Sequence, residues 1–299
     1  MQPYAKAGLN TCKYNNDIDK GPREKSSIAM NQELNAYQAE NMNNQAPVML
    51  VTGSARRIGA AIVKAAHRQG YRVIIHCHRS EQDANDLADH LNDIRANSAK
   101  VIVADLTIVN DGMALDSFVK SIVEAFEQLD VLVHNASRFY PSPLGSINHA
   151  QWDELLLTNA KAPLLLSQAL LPYLKQQQGC IVSLLDIHAH DRPFNNYTVY
   201  NMAKAAHRMM VQSLALEMAP EVRVNGVAPG VNILPDPTSD QAIDNEQQKS
   251  IIDAIPMRRI GQPDEIAHSV LYLVQANYVT GEIITVDGGR SLTIAGGHL

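Results

Sequence analysis

Tyr200 and Lys204 stand four residues apart in Tyr-Asn-Met-Ala-Lys, so on a helix a phenol and an ammonium share one face. A free phenol titrates near ~10 and exchanges protons poorly at neutral pH; a cation beside it favours the ionised form. The spacing is common by chance and gains meaning from a second stretch, Val48 to Gly59 (VMLVTGSARRIG). There an apolar run of strand length breaks at a glycine and restarts as a helix pattern at Ile58, Ile62, Val63 and Ala66. Gly53 can adopt positive φ and let the backbone approach a ligand, while Gly59 lets the helix pack on its strand. The amides of that helix N-terminus are then offered to an anion, read here as a pyrophosphate.

These groups need a scaffold, and the rest of the chain describes one. Short apolar runs at Val48 to Val51, Arg72 to Cys77, Lys100 to Ala104, Val131 to His134, Cys180 to Leu185, Arg223 to Val227 and Ile283 to Val286 alternate with amphipathic stretches. Most intervals are long enough for a helix. The expected fold class is therefore α/β: a doubly wound, seven-stranded parallel sheet with helices on both faces, in a single domain. Ligands of such sheets sit at the carboxyl ends of the strands. Residues 1–46 are rich in Asn, Gln, Lys and Glu and show no period of either kind, so they read as a disordered tail ahead of a domain over 47–299. Met30 and Met42 are alternative starts within it. The stretches Leu155 to Leu171 and Ala203 to Met218 read as helices apolar around most of their circumference, which predicts a buried second face and self-association.

Composition narrows the classes. The 299 residues carry a formal net charge of −6, which gives no global attraction for nucleic acid or an anionic membrane. No apolar run reaches membrane-spanning length and no secretory leader pattern opens the chain, so a cytoplasmic location is expected. Cys12, Cys77 and Cys180 are odd in number and widely spaced, and read as reduced thiols. No metal site is expected: His188, His190 and Asp191 read as solvated loop residues.

The strand ends supply the remaining candidates. The second closes in His76-Cys77-His78-Arg79-Ser80, where a cation and a hydroxyl occupy the corner at which NAD-preferring proteins place an acid. That favours a 2'-phosphate and hence NADP, with a solvated Arg79 as the alternative. Asp105 is placed to meet the adenine edge or to cap the next turn. The fourth strand runs into His134-Asn135-Ala136-Ser137-Arg138-Phe139-Tyr140, whose small residues admit a flat ligand on which Phe139 can stack. The segment 233–255 reads as a substrate-covering loop with a short helix.

Thr52-Gly53 through Gly59, Asp105-Leu106, Asn135-Ala136, Asn159, Tyr200 to Lys204, Pro229-Gly230 and Val286 to Gly289 together resemble the short-chain dehydrogenase/reductase family, over essentially residues 47–299. That resemblance implies a Rossmann-type fold and a nicotinamide cofactor held by Gly53, Arg57, Ile58, Gly59, His78, Arg79, Ser80, Asp105, Leu106, Asn135, Ala136, Ser137, Tyr200, Lys204, Pro229, Gly230 and Asn232. Two departures narrow it: Arg57 stands where most members have glycine, and Asp186 where most have the catalytic serine. Both, with His76 to Ser80, Asn135 to Pro143 and Tyr197 to Tyr200, resemble the pteridine reductases. The resemblance implies substrate contacts by Arg57, Ser137, Phe139, Asp186, Tyr197 and Tyr200, with Phe139 packing a pterin against the nicotinamide of NADPH. It implies catalysis by Asp186, Tyr200, Lys204 and Asn159, the last bending its helix and holding a proton-relay water, and a homotetramer. Reduction across a C=N bond needs protons on ring nitrogen, which suits an aspartate beside the phenol. The substrate is expected to be a dihydropterin of dihydrobiopterin or dihydromonapterin type, or dihydrofolate. The rivals are a 3-oxoacyl-carrier-protein or carbonyl reductase and a non-catalytic NADP-binding regulator.

Overall fold

The computed structural model describes residues 46–190, 192–234 and 243–293. Apart from Ala46 the tail lies outside the described residues, as do Asp191 and 235–242 of the expected covering loop. Seven strands form one parallel sheet in the order β3-β2-β1-β4-β5-β6-β7. They are β1 (Val48–Val51), β2 (Arg72–Cys77), β3 (Ala99–Val103), β4 (Val131–His134), β5 (Cys180–Leu184), β6 (Arg223–Pro229) and β7 (Ile283–Val286). The central strands β1, β2, β4 and β5 are buried at every position, as strands covered on both faces must be, whereas the edges β3 and β7 are partly exposed. β6 runs two residues beyond the apolar run expected for it because Ala228 and Pro229 still pair with Thr285 and Val286.

One face is covered by α1 (Arg57–Arg68), α2 (Glu81–Ile94) and α8 (Pro263–Gln275), whose apolar residues join those of β1 and β2 in one cluster. The other carries α3 (Gly112–Phe126), α5 (Ala162–Gln176) and α6 (Thr198–Met218). α4 (His149–Leu156) and α7 (Asn245–Asp253) are short and each starts on a capping box, Asn148 with Gln151 and Asp244 with Gln247. α7 is the short helix expected within 233–255.

The stretch read as one helix over Leu155 to Leu171 is interrupted. α4 passes into a π turn, Leu157–Lys161, before α5 begins. Asn159 is the cause: its Nδ2 donates to the Leu155 carbonyl at 3.0 Å, the acceptor an uninterrupted helix would give to the Asn159 amide, so the ladder shifts register.

Candidate active site

The strand order reverses between β1 and β4, and the crevice at their carboxyl ends is where an open α/β sheet takes a ligand. After β1 the chain turns at Gly53, whose φ of 62° suits glycine and where an added Cβ would lie 2.9 Å from the Ala136 Cα. At Gly59 an added Cβ would meet the Ser54 Cα at 2.6 Å and the Gly53 carbonyl at 2.7 Å, so α1 starts hard against the turn. Arg57 opens α1 in the left-handed region, φ 54°. That conformation is one glycine adopts freely, whereas a non-glycine residue in it is disfavoured by roughly 1–2 kcal/mol.

Two side chains splice the turns together. Asn135 donates its Nδ2 hydrogens to the Thr52 and Gly53 carbonyls at 2.9 and 2.8 Å, while its own amide donates to Thr52 Oγ1. His76 accepts from the Gly53 amide at Nδ1, 3.1 Å, which leaves Nε2 to donate to the Ala104 carbonyl. Burial holds His76 neutral, with its pKa lowered to about 4, so the tautomer is stable across ordinary pH. The role of His76 was not visible in sequence, where it was one member of a basic strand end.

These turns wall a cleft of about 760 Å³. Gly53, Arg57, Ile58, Gly59, His78, Arg79, Ser80, Asp105, Leu106, Asn135, Ala136 and Ser137 all line it. Arg79 is exposed there and enters no ion pair among the described residues. Asp105 caps the short turn, its carboxylate accepting from the Thr107 amide at 3.0 Å, and at the cleft it stands 3.2 Å from His78 Nε2. A cradle that a Cβ would fill, a helix N-terminus facing it and a free cation fit a dinucleotide pyrophosphate with a further phosphate at the Arg79 corner.

Tyr200, Lys204, Pro229, Gly230, Asn232, Phe139, Tyr197, Asp186 and Asn159 lie outside that lining, at the end of β6, on the segments that follow β4, β5 and β6 and on α6. Here the Tyr200 phenol donates to Asp186 Oδ2 at 2.7 Å. The other carboxylate oxygen, Oδ1, accepts from the His188 amide at 2.8 Å and caps the 3-10 turn Ile187–Ala189. That turn absorbs the length between Asp186 and Tyr200 and aims the aspartate at the phenol. His188 is not the solvated loop residue expected of it: its ring packs against Phe194 with centroids 3.5 Å apart and its Nε2 is buried. No cluster among the described residues has the groups to hold a metal.

Tyr200 is 4% exposed and Lys204 3%. The lysine donates to the Leu184 carbonyl at 2.9 Å and stands 5.9 Å from the centre of the Tyr200 ring. Burial lowers its pKa to about 8, partly opposed by Asp186. A cation at this spacing favours the ionised phenol, but burial, then the charge of Asp186 and the hydrogen bond to it, push the Tyr200 pKa well above its ordinary value. The phenol stays protonated and is a donor. Phe139 lies parallel on Tyr197, 4.6 Å and 15°, and edge-on to Tyr200 at 4.8 Å, so three of the expected substrate contacts form one aromatic wall. Phe194, absent from the sequence reading, extends it at 5.8 Å from Phe139.

Asn159 acts through its side chain. It accepts from Ser137 Oγ at 2.6 Å and donates to the Arg138 carbonyl at 2.9 Å, tying the loop after β4 to the π turn. Gly230 donates to the Val286 carbonyl, and Asn232 turns its Nδ2 to the Gly230 carbonyl with its Oδ1 packed against Gly261.

Comparison with known proteins agrees with this architecture. A family described as enoyl-(acyl carrier protein) reductase matches residues 53–291. Pteridine reductase 1 of Leishmania tarentolae is 38% identical over 289 residues, covering 84% of this chain and 98% of that protein. The dehydrogenase subunit BbsD of Thauera aromatica, which acts on a substituted succinyl-CoA, is 31% identical over 84% of this chain and 99% of its own. An uncharacterized oxidoreductase of Bacillus subtilis, YmfI, is 31% identical over 80% and 97%. With the glycine turn, the Tyr-x-x-x-Lys helix and the seven-stranded sheet in place, this chain belongs to the short-chain dehydrogenase/reductase family of oxidoreductases, which use a nicotinamide cofactor.

Proposed function

We propose that the chain is an NADPH-dependent pteridine reductase that converts a dihydropterin to its tetrahydro form. The observation that carries the reading is the 2.7 Å bond between Tyr200 and Asp186, beside an aromatic wall able to hold a flat heterocycle. Likeness to pteridine reductase 1 adds support. The free guanidinium of Arg79 at the cleft corner supports NADPH over NADH.

Bound NADPH supplies the hydride. The residues of the chain handle the proton. Tyr200 donates to the ring nitrogen, but a phenolate beside an Asp186 carboxylate is unfavourable, so Asp186 first takes up a proton from solvent and passes it to the phenol as the phenol gives its own to the ring nitrogen. Asp186 is half-buried and can reload from solvent. Lys204 favours any negative charge that develops on the phenol. A ketone substrate needs only donors to an alkoxide, and a serine serves for that; the carboxyl group suits a nitrogen acceptor. NADPH oxidation measured against a panel of dihydropterins, dihydrofolate, ketones and acyl thioesters tests the reading. Turnover of dihydropterins is expected, and turnover confined to thioesters or ketones overturns it.

The same reading makes the enzyme a cytoplasmic homotetramer. Among the described residues no helix is long and apolar enough to cross a membrane. Met202, Met209 and Leu216 recur every seven residues along α6 and are 47%, 61% and 84% exposed, an apolar stripe that a second copy would cover. Light scattering that finds a monomer refutes the assembly.

A further inference from the structure

Phe139 offers the face on which a flat substrate would lie, yet among the described residues no backbone hydrogen bond holds it. Upstream, the Asn159 side chain grips the Arg138 amide and carbonyl at 3.3 and 2.9 Å. Downstream, the Ser142 amide donates to the Asn196 carbonyl at 2.6 Å, and its hydroxyl accepts from the Val199 amide at 3.1 Å. Between these anchors stand Phe139, Tyr140 and Pro141, and the proline has no amide to donate. The Phe139 ring is 44% exposed, so packing alone does not fix it.

One carboxylate spans the gap. Glu154, in the last turn of α4, accepts from the Tyr140 phenol through Oε2 at 2.8 Å, while its Oε1 stands 3.2 Å from Arg138 Nε. The residues on either side of Phe139 are thereby bound to the same group, each by its own oxygen. In uncoiled chain, side chains two apart share a side and the one between them takes the other. Holding Arg138 and Tyr140 on Glu154 therefore turns Phe139 the opposite way, to Tyr197 at 4.6 Å and Tyr200 at 4.8 Å. Burial, then the bond to Glu154, push the Tyr140 pKa up to about 12, so this donor persists across ordinary pH. From this geometry we infer that Glu154 is a positioning residue for the substrate: its two oxygens clamp Arg138 and Tyr140 and so aim the Phe139 ring across the reductase site. The inference rests on the proposed role of Phe139 as the surface that stacks on the substrate ring. Glu154 and Arg138 also line the cofactor cleft, but a carboxylate repels phosphates, so its removal does not weaken the hold on NADPH. A clamp on Phe139 acts on the substrate alone.

The Arg138 and Glu154 side chains are 42% and 45% exposed, so their ion pair is worth less than a buried one, and the phenol's bond to a charged group adds to it. Glu154→Ala is expected to raise the KM for a dihydropterin by about three- to tenfold, with the KM for NADPH unchanged or lower. Glu154→Gln, whose amide oxygen still accepts from Tyr140, recovers part of the loss. Behind Phe139→Leu the same Glu154→Ala change adds less than about twofold, because the group being aimed is gone. Equal rises in both KM values, or an effect that persists in full behind Phe139→Leu, overturn the inference. A second readout needs no substrate. The chain has four phenylalanines, so para-fluorophenylalanine labelling gives four fluorine NMR lines, and the one missing from Phe139→Leu belongs to Phe139. Glu154→Ala is expected to shift or broaden that line while those of Phe118 and Phe126, packed in the core, stay in place. An unmoved Phe139 line overturns the clamp. Should Glu154→Ala not fold, Glu154→Gln, which loses the charge that faces Arg138, must show the same change in smaller degree, and an unmoved line there overturns it equally. If dihydropterins are not turned over but the line moves, the clamp stands and the substrate assignment fails alone.

Discussion

Replacing Asp186 with Asn removes a charge while keeping the shape of the loop, because asparagine caps a turn as well as aspartate and can still accept from the His188 amide. What changes is the partner of the Tyr200 hydroxyl, 2.7 Å away. A hydrogen bond to a charged group is worth about 1.5–3 kcal/mol, so if Asp186 only orients the phenol, kcat for a dihydropterin falls by roughly ten- to a hundredfold. Should Asp186 also deliver the proton, the fall is roughly 10²- to 10⁴-fold, the range for a general acid. The size of the loss thus distinguishes orientation from delivery. In the same variant the Tyr200 pKa drops, since one cause of its rise is gone, while burial keeps it above the ordinary phenol value. The assay is NADPH oxidation under saturating dihydropterin, with a spectroscopic titration of the phenol. An Asp186→Asn enzyme of undiminished kcat refutes the reasoning, as does an Asp186→Asn phenol that titrates where the wild-type one does.

Arg79→Glu is expected to lower the kcat/KM ratio of NADPH to NADH by at least about tenfold, since one charge-assisted contact to a phosphate is lost and a like charge gained; an unchanged ratio refutes the placing of the 2'-phosphate. Arg57→Gly releases about 1–2 kcal/mol of left-handed strain against about 0.4–1 kcal/mol of added chain entropy, so denaturant midpoints hold or rise slightly while the KM for NADPH increases. Gly59→Ala forces backbone contacts of 2.6 Å apart and is expected to lower stability by about 1–3 kcal/mol in urea and weaken cofactor binding together. Lys204 titrates in the folded chain at about 8, below its ordinary 10.5. The unfolded chain therefore holds the extra proton between those values, so from this group stability rises with pH across that window and is reduced by about 3 kcal/mol below it. Lys204→Met should raise the thermal midpoint near neutral pH while abolishing turnover, and wild-type kcat/KM should decline above pH 8 as the ammonium is lost; a profile flat through that region counts against the assignment.

The alternation of apolar runs with helix-length intervals was enough to determine a parallel α/β sheet, because strands buried on both faces need no polar positions and parallel neighbours need crossovers. Residue type alone marked the glycines of the first turn, the phenol and lysine a helical turn apart, and the cation at the second strand end. All of these are local signals, set by φ or by the period of one element. Tertiary structure decided what depends on two elements meeting. Asp186 lies fourteen residues from Tyr200, and only the 3-10 turn capped by its second oxygen brings the carboxylate to the phenol. The protonation of Tyr200 depends on burial and a neighbouring anion, neither legible in a Tyr-x-x-x-Lys spacing. The resemblance implied a bend at Asn159, but how its side chain is held was decided by a loop from another strand that offers a carbonyl and a hydroxyl to the same amide. His76 was a single letter in an apolar run, and its role comes from the peptide groups of other segments that the fold sets against each ring nitrogen.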